Sequence, residues 1–329
     1  MAGAEARVVA SLPYDLGVRR VGVIVVAAAA FLVALALAAA RVGERAGALS
    51  NWQALALGVV QGATELLPIS SSGHLIVVPW LARWRYLEQH DSFNNTFDVA
   101  LHAGTLVAVL AYFWDDVTRL VAAWARSIRR RAVRTPDERV AWFVIIATIP
   151  AAAVGAAGES FIEKHLGEPW QIAILLAVFA LVLFIADRTA ERRDMEHLSY
   201  RTAFLIGVAQ TLALLPGVSR SGVSISAGRF LGLRRDAAAR FSFLLLIPIV
   251  FGAALYKAVK DVAFGTLPPG SAGPFAVGMI AAAVTGLVAI WALLGYVRRN
   301  DYSVFVIYRL LAAAAILILI TSGVRPETF

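Results

Sequence analysis

Long charge-free apolar runs alternate along this chain with short arginine-rich segments. About 20 apolar residues in helical form cross a ~30 Å hydrocarbon core. Val21–Ala40, Val99–Trp114, Val140–Ala157, Trp170–Ala186, Phe241–Tyr256, Phe275–Val297 and Tyr302–Thr321 each read as such a span. Two stretches depart from this pattern. Asn51–Leu67 is apolar but stops at Pro68, and a serine-rich turn leads to a second apolar stretch, Leu75–Leu81. Thr202–Val218 contains Pro216-Gly217, followed by Ser219-Arg220-Ser221-Gly222 and a shorter arm, Val223–Leu233. Broken backbone is tolerated at membrane depth only where it lines a cavity or packs in protein, so both stretches predict re-entrant helix hairpins.

Loop charge orients these elements. Seven arginines lie between Trp114 and Val140 against four acids, and Arg188, Arg192, Arg193 and Arg201 mark a second basic segment. By the positive-inside rule both face the cytoplasm, and the 115–139 segment reads as a loop. The 159–168 loop is acidic and suits the outside. Arg19-Arg20 before Val21–Ala40 predicts a membrane-spanning anchor with its N-terminus in the cytoplasm, with a cleavable signal as the alternative reading.

The two broken stretches also resemble each other. Leu57-Gly58-Val59-Val60-Gln61 aligns with Ile206-Gly207-Val208-Ala209-Gln210, 149 residues later, and Ser70, Ser72 and Gly73 meet Ser219, Ser221 and Gly222. The loop charges bring the first hairpin in from outside and the second from inside. Repeats of opposite orientation with broken helices place their tips together near the midplane. The expected fold is an all-α integral membrane protein, with a six-helix inverted-repeat core and two re-entrant helix hairpins. One extra N-terminal transmembrane helix lies in residues 1–48, ahead of a membrane domain over 49–325.

Composition agrees with that class and excludes others. Hydrophobic residues make up 60% and charged residues 16%, too apolar for an ordinary soluble domain. The net charge of +8 is explained by inward-facing loops, not by nucleic-acid binding. The chain has no cysteine, which removes disulfides, thiolate metal sites and a cysteine nucleophile.

The chemistry concentrates at the two breaks. Gln61 and Glu65 are four apart and share a helix face. Ser70, Ser71, Ser72 and His74 follow Pro68, while the second break offers Arg220 between Ser219 and Ser221. Ionisable groups inside a membrane mark function by default. A guanidinium fork and exposed helix-end N–H groups suit phosphate, and an acid beside hydroxyls and a histidine suits proton transfer. Structural alternatives accompany each: an ion-pair lock for Glu65, backbone capping for the serines and for His74, and packing or a place near the site for His102. Asp98 reads as an N-cap, Arg309 as a snorkelling or packing residue near a span end, and Trp80, Trp84, Trp114, Trp170 and Tyr302 as interface anchors.

Gln61–Leu75 (QGATELLPISSSGHL) and Pro216–Ser224 (PGVSRSGVS) together closely resemble the two signature motifs of the bacterial undecaprenyl-diphosphate phosphatases, the bacitracin-resistance family. The resemblance runs over roughly residues 48–325. It implies an enzyme that removes the terminal phosphate of the C55 lipid diphosphate, regenerating the carrier for cell-wall glycans. It also implies a site facing the periplasm in the bacterial inner membrane, dependence on Mg²⁺ or Ca²⁺, and bacitracin competing for the substrate. A homodimer is one assembly it allows. By motif position, the catalytic set falls on Glu65, Ser71, His74 and Arg220. Gln61, Ser70, Ser72, Ser219, Ser221 and Ser224 fall at substrate-binding positions. Gln61 stands where the family's first acid falls and brings no charge, which argues against a two-carboxylate metal site; the resemblance then implies a metal held by Glu65 and the diphosphate oxygens. Ser71 as nucleophile and direct attack by water both remain open from sequence. A carrier or flippase of an anionic lipid is the alternative function. The broader lipid phosphatases with a histidine nucleophile are set aside, because that class needs a histidine six positions after the arginine and no histidine follows Arg220.

Overall fold

A computed structural model describes residues 49–84, 91–190, 193–259 and 271–327. The expected span Val21–Ala40 and the proposed 1–48 segment lie outside the described residues. The described chain is helical: α1 Asn51–Glu65, α2 Ser71–Ala82, α3 Asp91–Tyr112, α4 Trp114–Arg130, α5 Pro136–His165 and α6 Pro169–Asp187 come first. After a 3₁₀ turn at Met195–His197 follow α7 Tyr200–Gln210, a 3₁₀ turn at Thr211–Leu214, α8 Arg220–Phe230, α9 Arg235–Lys257, α10 Ala272–Val297 and α11 Ser303–Thr321.

Five of these helices (the Pro136–Gly158 part of α5, α6, α9, α10 and α11) are long and apolar enough to cross a membrane, and α3 with α4 makes a sixth if the bent pair counts as one span. Large apolar side chains stay exposed along the same helices, including Ile149 on α5, Leu181 on α6, Phe251 on α9, Ile280 on α10 and Leu311 on α11. Rows of this kind are unstable against water and suit contact with lipid tails. The molecule is an all-helical, multi-pass membrane protein.

Local chemistry starts and stops α1 and α7 in matching ways. Ser50 caps α1 by accepting from Gln53 N at 3.2 Å, while Gln53 Oε1 accepts from Ser50 N at 2.9 Å. Ser199 and Thr202 form the same reciprocal box at the start of α7. Each box stands at the spacing that relates the two broken stretches. α1 ends three residues before Pro68, whose ring cannot donate the next helical hydrogen bond. The restarts match too. Ser70 and Ser219 both adopt φ of 75°, and each accepts from the amide of the glycine three residues on, Gly73 or Gly222. A positive φ is costly for a serine, so packing on both sides of the break must hold it.

The first arm of each broken pair packs on a long helix from the other half of the chain, α1 on α10 and α7 on α5. Gly58 and Gly207 make these crossings close. A Cβ at Gly58 would lie 2.3 Å from the Gly278 carbonyl oxygen, and one at Gly207 would lie 2.4 Å from that of Ala147. Small residues permit such approach between membrane helices. α6 packs along α11, and α3 against α9.

Three expectations change. The 115–139 segment is not a plain loop: most of it is α4, bent by 86° from α3. Asp98 sits inside α3 and does not cap it, because helical structure begins at Asp91. Trp80, Trp84 and Tyr302 are buried in helix packing, whereas Trp114 and Trp170 are exposed.

Candidate active site at two chain breaks

The breaks at Pro68 and Pro216 meet in the interior. Ser70 Oγ accepts from Gly217 N at 3.1 Å, and Ser221 Oγ donates to the Leu67 carbonyl at 2.9 Å. Arg309 joins them from α11 and is fully buried. Its Nη1 donates to Pro68 O at 3.2 Å, its Nη2 to Gly217 O at 2.9 Å and Val218 O at 3.1 Å, and its Nε to Leu176 O at 3.2 Å. The carbonyls of Pro68, Gly217 and Val218 at the breaks, together with one carbonyl of α6, are collected by one guanidinium, whose five N–H donors fan out in a plane. Arg309 is therefore not a snorkelling residue; it holds both breaks.

Glu65, the last residue of α1, is the centre of the site and is buried. Its Oε1 accepts from Arg220 Nε at 3.3 Å and Nη2 at 3.1 Å. Its Oε2 accepts from Gln61 Nε2 at 3.2 Å and makes a short hydrogen bond with the Ser71 hydroxyl. Gln61 reaches it from one turn earlier on α1. Ser71 reaches it because the turn at 66–70 folds the first residue of α2 back against the end of α1. Arg220, first residue of α8, is steadied by Nη1 donating to Ser242 O at 2.9 Å.

His102 is a fourth partner. Its Nε2 lies 3.4 Å from Glu65 Oε2, and its Nδ1 donates to the Asp98 carbonyl at 2.6 Å. With Nδ1–H committed to a carbonyl, Nε2 faces the carboxylate and pairs with it as an ion pair when the ring is protonated. A single carboxylate thus faces a guanidinium, an imidazole, an amide and a hydroxyl.

The remaining predicted residues divide. His74 makes its ring hydrogen bonds elsewhere, Nδ1 to Ser70 O at 2.6 Å and Nε2 with the Tyr308 hydroxyl at 2.6 Å, and its ring stacks on Tyr308. Ser70, Ser219 and Ser221 serve backbone groups at the breaks. Ser224 Oγ donates to Arg220 O at 2.7 Å and shares a 2.7 Å hydrogen bond with Ser242 Oγ, fixing the turn that carries the arginine. Ser72 is half-buried, with a long 3.4 Å contact to Ser70 Oγ, and its hydroxyl is the least committed of the run. Sequence reasoning left His102 undecided and missed Ser242, Tyr308 and Arg309 as site-building groups. Their signal was polar character inside apolar spans; what was missing was the packing that aims them.

Among the described residues no group of three or more His, Asp or Glu could hold a metal ion. The donor set at Glu65 nevertheless fits a cation that takes one carboxylate plus ligand oxygens. Gln61 Oε1 is buried beside Glu65 without a hydrogen-bond partner, and an amide oxygen is a suitable hard ligand for Mg²⁺ or Ca²⁺.

Comparison with known proteins places this geometry in a family. A model described as bacitracin resistance protein BacA matches residues 54–315, which take in both breaks, His102 and Arg309. An undecaprenyl-diphosphatase of Desulforudis audaxviator is 42% identical over 273 residues, covering 82% of this chain and 98% of that protein. Those of Thermomicrobium roseum and Geobacter sulfurreducens are each 45% identical, over 286 and 266 residues, covering 84% and 80% of this chain and 100% and 96% of theirs. A family match that includes every residue of the site, with relatives aligned over nearly their whole lengths, establishes that the chain belongs to the bacitracin resistance protein BacA family.

Proposed function

We propose that this chain hydrolyses undecaprenyl diphosphate to undecaprenyl phosphate and inorganic phosphate, recycling the lipid carrier for cell-wall biosynthesis. The observation that carries the reading is Glu65, with Ser71 on one carboxylate oxygen and Arg220 on the other, in a chain aligned with undecaprenyl-diphosphatases over most of its length.

In the reaction, the diphosphate enters between the two breaks. Arg220 neutralises charge on the phosphates, a role that suits a guanidinium better than a point-charge ammonium. Ser71 Oγ attacks the terminal phosphorus as its proton passes to Glu65 Oε2. The bond from that phosphorus to the bridging oxygen breaks, and undecaprenyl phosphate leaves with the electron pair. Water then attacks the phosphoserine, and inorganic phosphate departs as Ser71 regains a proton from Glu65. His102 holds Glu65 in place and balances its charge when Arg220 turns toward substrate. His74, held by Tyr308, orients the start of α2. The uncommitted Ser72 hydroxyl contacts a phosphate oxygen. Glu65 and Gln61 Oε1 would hold a divalent cation, which when bound supplies further positive charge to the phosphate oxygens.

The matching caps, positive-φ serines and close-packed glycines support a repeat. We read the repeat as inverted and its two broken pairs as re-entrant, since opposite loop charge flanks them. The acid/base half then opens toward the periplasm of the inner membrane, where bacitracin competes for the lipid.

Phosphate release from the C55 diphosphate by purified protein, with and without EDTA, tests the function. Rapid quenching with labelled substrate tests the nucleophile: a burst of acid-stable phosphoprotein, lost in Ser71→Ala, is the expected result. A full burst of phosphate with no phosphoprotein would assign attack to water.

A further inference from the structure

α4 presents three different faces. Leu120, Ala123 and Ser127 are buried against α5, where Trp142 Nε1 donates to Ser127 Oγ at 3.0 Å. A second face is apolar and exposed: Trp114, Val121 and Ile128, seven apart and so on one stripe, are 61%, 57% and 47% exposed. A third face carries Arg119, Arg126 and Arg130 along one stripe with Arg129 beside it, all exposed. Residues 114–131 hold five arginines against Asp115 and Asp116, a net charge of +3. Arg119 pairs with Asp116 and Arg130 with Glu138, whereas Arg126 and Arg129 have no acidic partner among the described residues. The 86° bend lays α4 across the axis of α3.

We infer that α4 lies in the headgroup layer of the bilayer and is a docking surface for anionic lipid. A helix at the end of a span and perpendicular to it runs along the membrane plane. Its apolar stripe then sinks toward the acyl chains while the neighbouring arginines meet lipid phosphates. Charge selects the occupant. Two cations without internal partners, beside an apolar stripe at headgroup level, match anionic over zwitterionic lipid. The half-buried Val117 and Trp124 lie between the apolar stripe and the α5 contact, so the side opposite the arginines is apolar as well. This surface is separate from the residues around Glu65 and belongs to the fold whichever reaction the site performs.

The absence of cysteine makes the test direct. Val121→Cys and Arg126→Cys, each labelled with a nitroxide, are reconstituted as full-length protein in phosphatidylcholine vesicles with or without phosphatidylglycerol. The label at 121 collides more with dissolved oxygen, and that at 126 more with a water-soluble nickel reagent. A fluorophore at 121 is then quenched by spin-labelled phosphatidylglycerol in preference to spin-labelled phosphatidylcholine. That preference falls about fivefold for each of Arg126→Gln and Arg129→Gln, as expected for a basic side chain at an anionic surface. Unchanged phosphate release in detergent shows the variants folded. Equal nickel access at both labels would overturn the placement. Exclusion of both reagents at 121 would mean that protein covers the stripe. A lipid preference unaltered by both substitutions would overturn the selection of anionic lipid.

Discussion

Removing Glu65 or Arg220, alone and together, separates a structural ion pair from a working site. Glu65→Gln leaves the Arg220 guanidinium, 12% exposed, without a counter-charge and with neutral oxygens such as the Ser242 carbonyl as its partners. Stranding one member of a buried pair costs about 3–5 kcal/mol. Arg220→Met is milder, because Glu65 keeps Gln61, the Ser71 hydroxyl and His102. Its loss should be about 1–3 kcal/mol, the range for a buried polar group that keeps part of its partner set. The double variant strands neither charge, so it should recover about 2 kcal/mol relative to the sum of the singles. Unfolding in detergent followed by tryptophan fluorescence supplies these energies, and phosphate release from the C55 diphosphate supplies the rates. Each single variant should lose at least ~10²–10³ in kcat, the scale for a group that stabilises transition-state charge, and the double should recover none of it. If activity returned together with stability, the pair would be a lock and the catalytic assignment would fail. If Arg220→Met cost more stability than Glu65→Gln, His102 would not be sharing the carboxylate.

Gly58→Ala and Gly207→Ala should each destabilise by about 2 kcal/mol or more, because the added methyl overlaps a facing carbonyl, whereas Gly252→Ala, with nothing within 4 Å, should be neutral or slightly stabilising; unfolding midpoints compare the three. Arg309→Lys should lose most activity and about 2–4 kcal/mol of stability, since three ammonium donors cannot reach both breaks and α6 together; a variant with wild-type midpoint and rate would contradict the bridging role. EDTA should suppress phosphate release. Gln61→Glu should lower the Mg²⁺ concentration for half-restoration about tenfold by adding a second carboxylate, and a titration showing no shift would remove position 61 from the cation site.

Hydropathy alone located the long apolar helices among the described residues, because a bilayer of fixed thickness demands apolar runs of fixed length and leaves little for tertiary context to override. The breaks were legible for a related reason. Pro68 and Pro216 cannot continue a helix, and Ser, Gly and Arg at membrane depth need a reason to be there. The internal repeat extends into details the alignment did not use, such as the capping boxes at Ser50 and Ser199. α4 is not legible from hydropathy, because five arginines mask the helical spacing that gives it separate buried, apolar and basic faces.

The sequence by itself determined the class, the long apolar spans among the described residues, the two interruptions and the meeting of Glu65 and Ser71 with Arg220, since these follow from local composition and the repeat. Tertiary structure decided which polar groups share an atom. His102 and Glu65 are 37 positions apart in sequence and meet because α3 packs beside α1. His74 lies nine positions from Glu65, yet turns to Tyr308 on α11. A helix dictates which side chains share its face but not what that face meets. In a bundle held by close glycine contacts, the neighbour sets the chemistry.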